Sequence, residues 1–202
     1  MLKKYCIVFL IITTPIIAQN QTPIAVDFST NSIESLTSYL TTNKNMLAFY
    51  PSLFPFDSAF TISSDFGLRT HPISGKSQFH NGIDFTCPNG TVVFSVAHGR
   101  VLSVVYNDPV IGNSITISHL NNWTSSFSHL ETINVSADQI VSLYDPIGTT
   151  GDSGNVTGHH LHFTIRYNKK PIDPLPLCYL HTYINELNYN DDLNTESNYY
   201  SH

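Results

Sequence analysis

Three histidines and one aspartate have the residue types and the spacing of a metal site. His80 and Asp84 are four positions apart in the segment HNGID, and His160 and His162 follow far downstream in the segment HLH. Zinc bound by three protein groups keeps a fourth position for water, which makes a catalytic centre rather than a structural one. The pattern predicts an open zinc site, and spacing alone leaves open which of His160 and His162 is the ligand.

The two segments need different backbone conformations. Side chains alternate between the faces of a strand, so His160 and His162 would share one face while Leu161 and Phe163 point into the core. In HNGID, four extended residues would span roughly 13 Å, too far for two atoms that each lie about 2 Å from one metal. We expect the chain to bend here, and Gly82 permits the bend.

Histidine must also supply the proton transfer if the chain is a hydrolase. The sequence has no H-E-x-x-H segment, the pattern in which a glutamate is the general base, and only Glu131 of its glutamates lies near a motif. An ordinary histidine pKa of about 6.5 suits an acid or a base at neutral pH.

The remaining sequence predicts the elements that position these residues. Short β-branched and aromatic runs between turn signals indicate an all-β domain. The predicted strands cover 91–96, 100–106, 114–118, 124–128 and 160–167. We expect an N-terminal arm at 19–57, with a helix over 32–40 capped by Asn31, then a catalytic domain at 58–176. A polar tail at 177–202 should be loosely ordered from about Asn185 onward.

The first 18 residues predict a secretory signal peptide. Two lysines precede an apolar run that ends before the small residue Ala18, after which we expect cleavage. The alternative is a membrane anchor, but the run is shorter than the ~20 apolar residues of a spanning helix and contains Pro15. An exported protein in the periplasm or outside the cell is predicted, with no membrane span after cleavage.

Charge and cysteine content limit the partners and the cross-links. The formal net charge of −6 becomes about −8 without the signal lysines, which argues against a nucleic-acid partner. The mature chain would keep Cys87 and Cys178. A disulfide and a pair of separate buried thiols are both compatible with an exported chain.

Several blocks between residues 63 and 173 resemble the lysostaphin/LytM-type zinc endopeptidases of bacterial cell walls. In order they read SDFGLRTHP (64–72), HNGIDF (80–85), PNGTVV (88–93), GRV (99–101), FSHL (127–130), GDSG (151–154) and VTGHHLHF (156–163). The resemblance implies a mainly antiparallel barrel or sandwich. It also implies that His80, Asp84 and His162 bind one zinc ion, while His129 and His160 serve the reaction without binding the metal.

The function implied by this resemblance is hydrolysis of peptide bonds in peptidoglycan. The alternative is a non-catalytic wall-binding or regulatory module of the same fold. Segments 69–79 and 107–113 would wall the substrate groove. The chain has Thr164 where the family often has glutamate after HLHF. This difference puts in question a hydrogen bond that would support the metal ligands, but not the ligands themselves. Arg69 could contact a substrate carboxylate or the ligand set, or form a surface ion pair.

Two roles are open for the arm. It could cover unpaired groups at a sheet edge, or it could lie across the groove with Asn43 or Asn45 directed at the metal.

Overall fold

The computed structural model describes residues 32–70 and 77–199. The elements are α1 (Ser32–Thr42), a 3-10 helix (Lys44–Phe49), β1 (Thr61–Ser64), β2 (Gly67–Thr70), β3 (Ser77–His80), β4 (Ile83–Thr86), β5 (Val92–Phe94), β6 (Gly99–Asp108), β7 (Gly112–Ser118), a 3-10 helix (Leu120–Asn122), β8 (Trp123–Ile133), β9 (Ile140–Val141), β10 (Pro146–Thr150), β11 (Leu161–Tyr167), β12 (Lys170–Ile172) and α2 (Pro174–Tyr199). The predicted helix at 32–40 is present and continues to Thr42. The predicted signal peptide and the cap Asn31 lie outside the described residues.

Ten strands of the described chain form one antiparallel sheet. Its main order is β1-β4-β11-β8-β7-β6-β9, with β10 paired to β8 and β5, and β12 paired to β11. Strands β2 and β3 form a separate two-stranded sheet. The prediction of an all-β, mainly antiparallel domain is confirmed.

Strand β11 lies between β4 and β8 and begins at Leu161 of the HLH segment, while His160 directly precedes it in an isolated bridge with Gly151. Its alternate residues Leu161, Phe163 and Ile165 are completely buried. Each contributes about 1.5–3 kcal/mol by burial, and a slip of one residue would turn all three away from the core. The register of β11, and with it the position of His162, is therefore firmly held.

The arm packs against the sheet domain. Apolar residues from both of its helices and from the following segment belong to the hydrophobic core: Leu36, Leu40, Leu47, Tyr50 and Phe56. The amides of Phe94 and His98 donate to the carbonyl oxygens of Pro55 and Ala48, at 2.7 Å in both cases. The arm thus supplies hydrogen-bond partners beside edge strand β5.

The other role considered for the arm receives no support from Asn43. The Asn43 amide donates to the carbonyl oxygen of Tyr39 at 3.0 Å and so completes the end of α1. The described part of the arm is therefore in the arrangement expected for a segment that covers a sheet edge.

The C-terminal region differs from the predicted polar tail. Residues 174–199 form α2, whose first half buries Leu177, Leu180 and Ile184 on one face. The helix begins where the carboxylate of Asp173 accepts a hydrogen bond from the Leu175 amide at 3.0 Å, an N-cap contact. The domain core extends beyond 176 for this reason. Within the described residues no helix is both long and apolar enough to cross a bilayer.

The disulfide considered for Cys87 and Cys178 is not formed. Both are free cysteines, and both are buried. Burial raises the pKa of each thiol. They fill the role of small apolar residues, which was the other alternative.

Candidate metal centre

The three predicted metal ligands come together at one face of the sheet. Asp84 of β4 is the register partner of His162 of β11, so their side chains project from neighbouring strands on the same face. His80 is the last residue of β3, and only Asn81 and Gly82 separate it from β4. A short connection between two differently directed strands therefore brings His80 to the Asp84–His162 pair.

One donor atom from each of these residues forms a small triangle. Nε2 of His80 lies 3.1 Å from Nδ1 of His162 and 3.2 Å from Oδ1 of Asp84. The Asp84 Oδ1 and His162 Nδ1 atoms are 2.7 Å apart. Ligands of a tetrahedral zinc ion, bonded at about 2.0–2.1 Å, lie about 3.3 Å from one another. The triangle has nearly the size that one zinc ion requires.

The second nitrogen of each imidazole determines which atom faces the triangle. Nδ1 of His80 is 2.7 Å from the carbonyl oxygen of Asp65, which can only accept, so Nδ1–H is the donor. Nε2 of His162 is likewise a donor, to Oδ1 of Asn81 at 3.1 Å. In neutral rings, Nε2 of His80 and Nδ1 of His162 are then unprotonated and direct lone pairs at Asp84.

Three lone pairs at distances of 2.7 to 3.2 Å repel one another unless positive charge lies between them. Burial acts to raise the pKa of Asp84, but the His162 and His80 rings, which donate hydrogen bonds to Oδ1 when they are protonated, outweigh it and hold that pKa well below its usual range. Burial lowers the pKa of His80, whereas the contacts with Asp84 and Asp65 act in the opposite direction and raise it overall. The site favours a cation, and its donor set can hold a metal ion.

Gly82 is needed for a reason other than the predicted bend. A Cβ atom at this position would lie 2.4 Å from the Phe163 carbonyl oxygen and 2.9 Å from Cε1 of His162. The backbone angle φ of Gly82 is not in the left-handed region. Close approach of β11, rather than an unusual backbone angle, therefore requires glycine here.

His129 reaches the site through an irregularity in β8. Ser128 and His129 together oppose Ser114, because the β7/β8 register shifts between Asn113 and Ile115. His129 adopts φ of 65°, a conformation rare for residues other than glycine. Such bulges and strained residues often redirect a side chain at functional sites. The bulge turns the His129 side chain toward the metal-binding atoms. The centroids of the His129 and His162 rings are 6.2 Å apart.

His129 and His160 form a second pair beside the triangle, with ring centroids 4.7 Å apart. Nδ1 of His129 donates to the Ser153 carbonyl oxygen, and Nδ1 of His160 donates to that of Gly158, both at 2.9 Å. Each neutral ring is left with Nε2 as a potential proton acceptor. Nε2 of His160 lies 4.0 Å from Oδ1 of Asp84. Burial lowers the pKa of His129.

Thr164 retains the contact that the missing glutamate put in question. Its buried Oγ1 lies 3.2 Å from Nε2 of His162, on the side away from the triangle. Arg69 is half-exposed, donates to the Ser64 hydroxyl and lies 4.0 Å from Oδ2 of Asp84. Arg69 therefore contacts the surroundings of the ligand set rather than the triangle itself.

Two further histidines make contacts outside the donor triangle. His119 is buried, donates from Nδ1 to the His98 carbonyl oxygen at 2.9 Å and contacts the Ser125 hydroxyl through Nε2 at 2.8 Å. His159 is exposed and lies 3.6 Å from the Asp152 carboxylate. His71 and His202 lie outside the described residues.

A cleft of about 430 Å³ lies beside His160. Among the residues that the structure describes, its lining contains neither a carboxylate nor a lysine or arginine side chain, and consists of Ser63, Thr86, Cys87, Pro88, Asn89, Thr157, Gly158, His159 and His160. The cleft therefore suits an uncharged stretch of a ligand next to the histidine pair.

Sequence reasoning missed the residues that hold the site histidines in place. Asn81 lies inside HNGID, and Ser153 lies inside GDSG, so both were within reach of the motifs. Three of the acceptors, on Asp65, Ser153 and Gly158, are main-chain carbonyl groups, which residue type does not reveal.

The fold and the donor set together define a metallopeptidase domain. The profile of Peptidase family M23 matches residues 78–174, a range that includes all five predicted site residues. The chain thus contains a Peptidase family M23 domain over these residues, and the resemblance to lysostaphin-type enzymes is confirmed.

Three similar proteins illustrate the relationship. Peptidoglycan DD-endopeptidase ShyA of Vibrio cholerae is 37% identical over 123 residues, which are 60% of this chain and 28% of that protein. A zinc containing peptidase from Vibrio cholerae matches with 35% identity and a TM-score of 0.59, over 63% of this chain and 39% of the other. The catalytic domain of lysostaphin from Staphylococcus simulans matches with 26% identity and a TM-score of 0.53, over 59% and 92%. The chain thus spans less than a third of this curated relative.

Proposed function

We propose that the chain is an exported zinc metalloendopeptidase that hydrolyses peptide bonds in bacterial peptidoglycan. The observation that carries this proposal is the convergence of three metal-binding atoms, one each from His80, Asp84 and His162, beside two further histidines. The class of substrate is supported by the similarity to a protein named as a peptidoglycan endopeptidase. Export rests on the predicted signal peptide at residues 1–18.

His80, Asp84 and His162 would hold one zinc ion. Two imidazole nitrogens and a carboxylate oxygen are ordinary zinc ligands, and a set of three leaves a further position open. Zinc bound in this way supplies Lewis acidity toward a peptide carbonyl group and toward water. Because all three ligands sit on or next to paired strands, the protein holds them in place before substrate arrives.

His129 and His160 would carry the proton transfers. Their Nδ1 atoms are occupied by main-chain carbonyl groups, so Nε2 is the nitrogen that exchanges protons in each ring. One ring takes the proton of the attacking water, and the other donates to the oxyanion or to the leaving amine. Burial of His129 favours its neutral form, which is the form that can accept a proton.

The peptide would lie along the sheet face, with an uncharged segment in the cleft beside His160. The cleft has hydroxyl and amide groups from Ser63, Asn89 and Thr157, and the described part of its lining has no aspartate, glutamate, lysine or arginine. The hairpin ending at His80 and the β6/β7 turn, whose Ile111 carbonyl accepts the His129 amide at 3.0 Å, would flank the peptide.

The test combines metal analysis with digestion of purified peptidoglycan. We expect one zinc per chain, release of fragments with new peptide termini detected by mass spectrometry, inhibition by a chelator and recovery on adding zinc. Asp84→Ala should abolish cleavage, whereas the matched exposed change Asp138→Ala should not. A zinc-loaded protein that binds peptidoglycan without cleaving it would instead support the non-catalytic binding module.

A further inference from the structure

The four histidines of the site are held in two different ways. Three of them, His80, His129 and His160, each donate Nδ1–H to a main-chain carbonyl oxygen. The acceptors belong to Asp65, Ser153 and Gly158, at 2.7, 2.9 and 2.9 Å. His162 donates from Nε2 instead, and its neighbours are side-chain oxygens: Oδ1 of Asn81 at 3.1 Å and Oγ1 of Thr164 at 3.2 Å. The Ser64 hydroxyl also lies 3.4 Å from Nδ1 of His80, but the nearer acceptor of that ring is the Asp65 carbonyl oxygen. A side-chain substitution can therefore remove the acceptor nearest to the His162 ring, whereas the nearest acceptor of each of the other three rings belongs to the main chain.

We propose that Asn81 is a positioning residue that selects the metal-binding tautomer of His162, with Thr164 as a second, buried hydrogen-bond partner. This inference rests on the proposed zinc site. In the structure the amide oxygen of Asn81, which can only accept a hydrogen bond, faces Nε2. This orientation of the Asn81 side chain favours the proton on Nε2 and leaves a lone pair on Nδ1. The Nδ1 atom is the one that faces Asp84 and His80.

Thr164 cannot make this selection by itself. A hydroxyl group donates as readily as it accepts, so it is compatible with either tautomer of the ring. If Nε2 accepted the Thr164 proton, Nδ1–H would point at Oδ1 of Asp84, only 2.7 Å away. The resulting charge-assisted hydrogen bond would occupy two of the three donor atoms and compete with a metal ion.

The two neighbours also differ in their surroundings. Thr164 is buried in β11, two residues beyond His162, whereas Asn81 is exposed in the connection between β3 and β4. A change at Asn81 consequently removes an acceptor without opening a cavity in the core. Asn81 is therefore the better position at which to separate tautomer selection from folding.

The first experiment measures zinc affinity of the purified full chain by competition with a chromophoric chelator. Asn81→Ala should weaken zinc binding by about 10- to 100-fold, the usual range for partners of ligand histidines. Asn81→Asp keeps a side-chain oxygen that only accepts, so its zinc affinity should be close to that of the unmodified protein rather than that of Asn81→Ala. Thr164→Val removes the partner that is compatible with either tautomer and should have a smaller effect than Asn81→Ala. Thr164→Ser should bind zinc as the unmodified protein does.

Thr116→Val is a matched control for Thr164→Val. Thr116 pairs with Ser126, which pairs with Thr164, so it lies in the same row of the sheet but two strands from His162. This change should leave zinc affinity unaltered. Circular dichroism, and unfolding curves recorded with a chelator present so that the protein is metal-free, would show that each variant is folded.

The second experiment detects the tautomer directly by ¹⁵N NMR of the histidine rings in metal-free protein. Unmodified protein should carry the His162 proton on Nε2, and Asn81→Ala should move population to Nδ1–H. An Asn81→Ala protein with unchanged zinc affinity and an unchanged tautomer would overturn the proposal. If the unmodified protein binds no zinc but the tautomer shift occurs, the role of Asn81 stands while the proposed metalloenzyme function fails.

Discussion

Asp84 and His162 are register partners on β4 and β11, and their Oδ1 and Nδ1 atoms lie 2.7 Å apart although the residues are separated by 78 positions in the chain. The pairing of two strands, rather than a local motif, brings these donors together. His80 then joins them across the two-residue connection that precedes β4. The metal site consequently depends on the β4/β11 register as much as on the identity of its ligands.

His162→Ala should lose stoichiometric zinc. Removing one of three protein ligands leaves only His80 and Asp84, and a site with two protein ligands binds zinc too weakly to retain it during dialysis. Metal analysis after dialysis checks this, with exposed His159→Ala as the matched control that should keep zinc. A His162→Ala protein that retains one equivalent of zinc would contradict the ligand assignment.

His129→Ala and His160→Ala should both retain zinc and lose activity. The expected decrease in the rate of peptidoglycan cleavage is about 10²- to 10⁴-fold, the size of a general acid–base contribution. Rates and zinc content should be measured on the same samples. Loss of zinc in His160→Ala would mean that His160, rather than His162, is the ligand from the HLH segment.

Leu40→Ala should destabilise the protein without changing the site. Leu40 of α1 is completely buried, and truncation of such a side chain costs about 2–5 kcal/mol of the free energy of unfolding. Urea unfolding would measure the loss, while zinc content should remain as in the unmodified protein. A stable Leu40→Ala variant with faster peptidoglycan cleavage would instead show that the arm restrains the active site.

His119 should make stability depend on pH. Burial lowers its pKa to about 4, whereas an unfolded histidine has a pKa of about 6.5. Between these values the unfolded chain binds more protons, so the stability is fully present above pH ~6.5 and is lost as pH falls toward 4, by up to about 3 kcal/mol.

The matching variant is His119→Gln, which does not titrate in this range. Urea unfolding of metal-free protein between pH 4 and 7 should give a flatter pH profile for the variant than for the unmodified chain. Equal slopes for the two proteins would refute a buried neutral His119.

Cys87 and Cys178 should both be free in the folded protein. Alkylation under denaturing conditions without a reductant, followed by mass spectrometry, should label both residues of the mature chain. Native protein should react slowly at Cys178 because that thiol is completely buried and burial raises its pKa. Protein that is not alkylated at either Cys87 or Cys178 before reduction, and is alkylated at both after reduction, would establish the disulfide.

The C-terminal helix shows where composition misled the prediction. Asparagines and acids after residue 185 suggested a loosely ordered tail, yet Leu177, Leu180 and Ile184 have the spacing of one helical face. Asp173 and Pro174 are also a recognisable helix start. These local signals were sufficient in principle to predict the helix. The polar composition after residue 185 argued against it, and the packing of the apolar face against the core decides for the helix.

Residue type and spacing were sufficient to predict the all-β class, a strand at the HLH segment, and a metal site that includes His80, Asp84 and one histidine of HLH; the choice of His162 over His160 came from the resemblance to lysostaphin-type enzymes. They were sufficient because strand alternation and ligand chemistry are local properties of the chain. The bulge that turns His129 toward the site, the close approach that requires Gly82 and the acceptor on each imidazole were decided by tertiary structure. Each depends on a contact between segments that are distant in sequence. Such contacts are determined by strand register and by the positions of main-chain carbonyl groups, and neither can be deduced from the identities of the side chains.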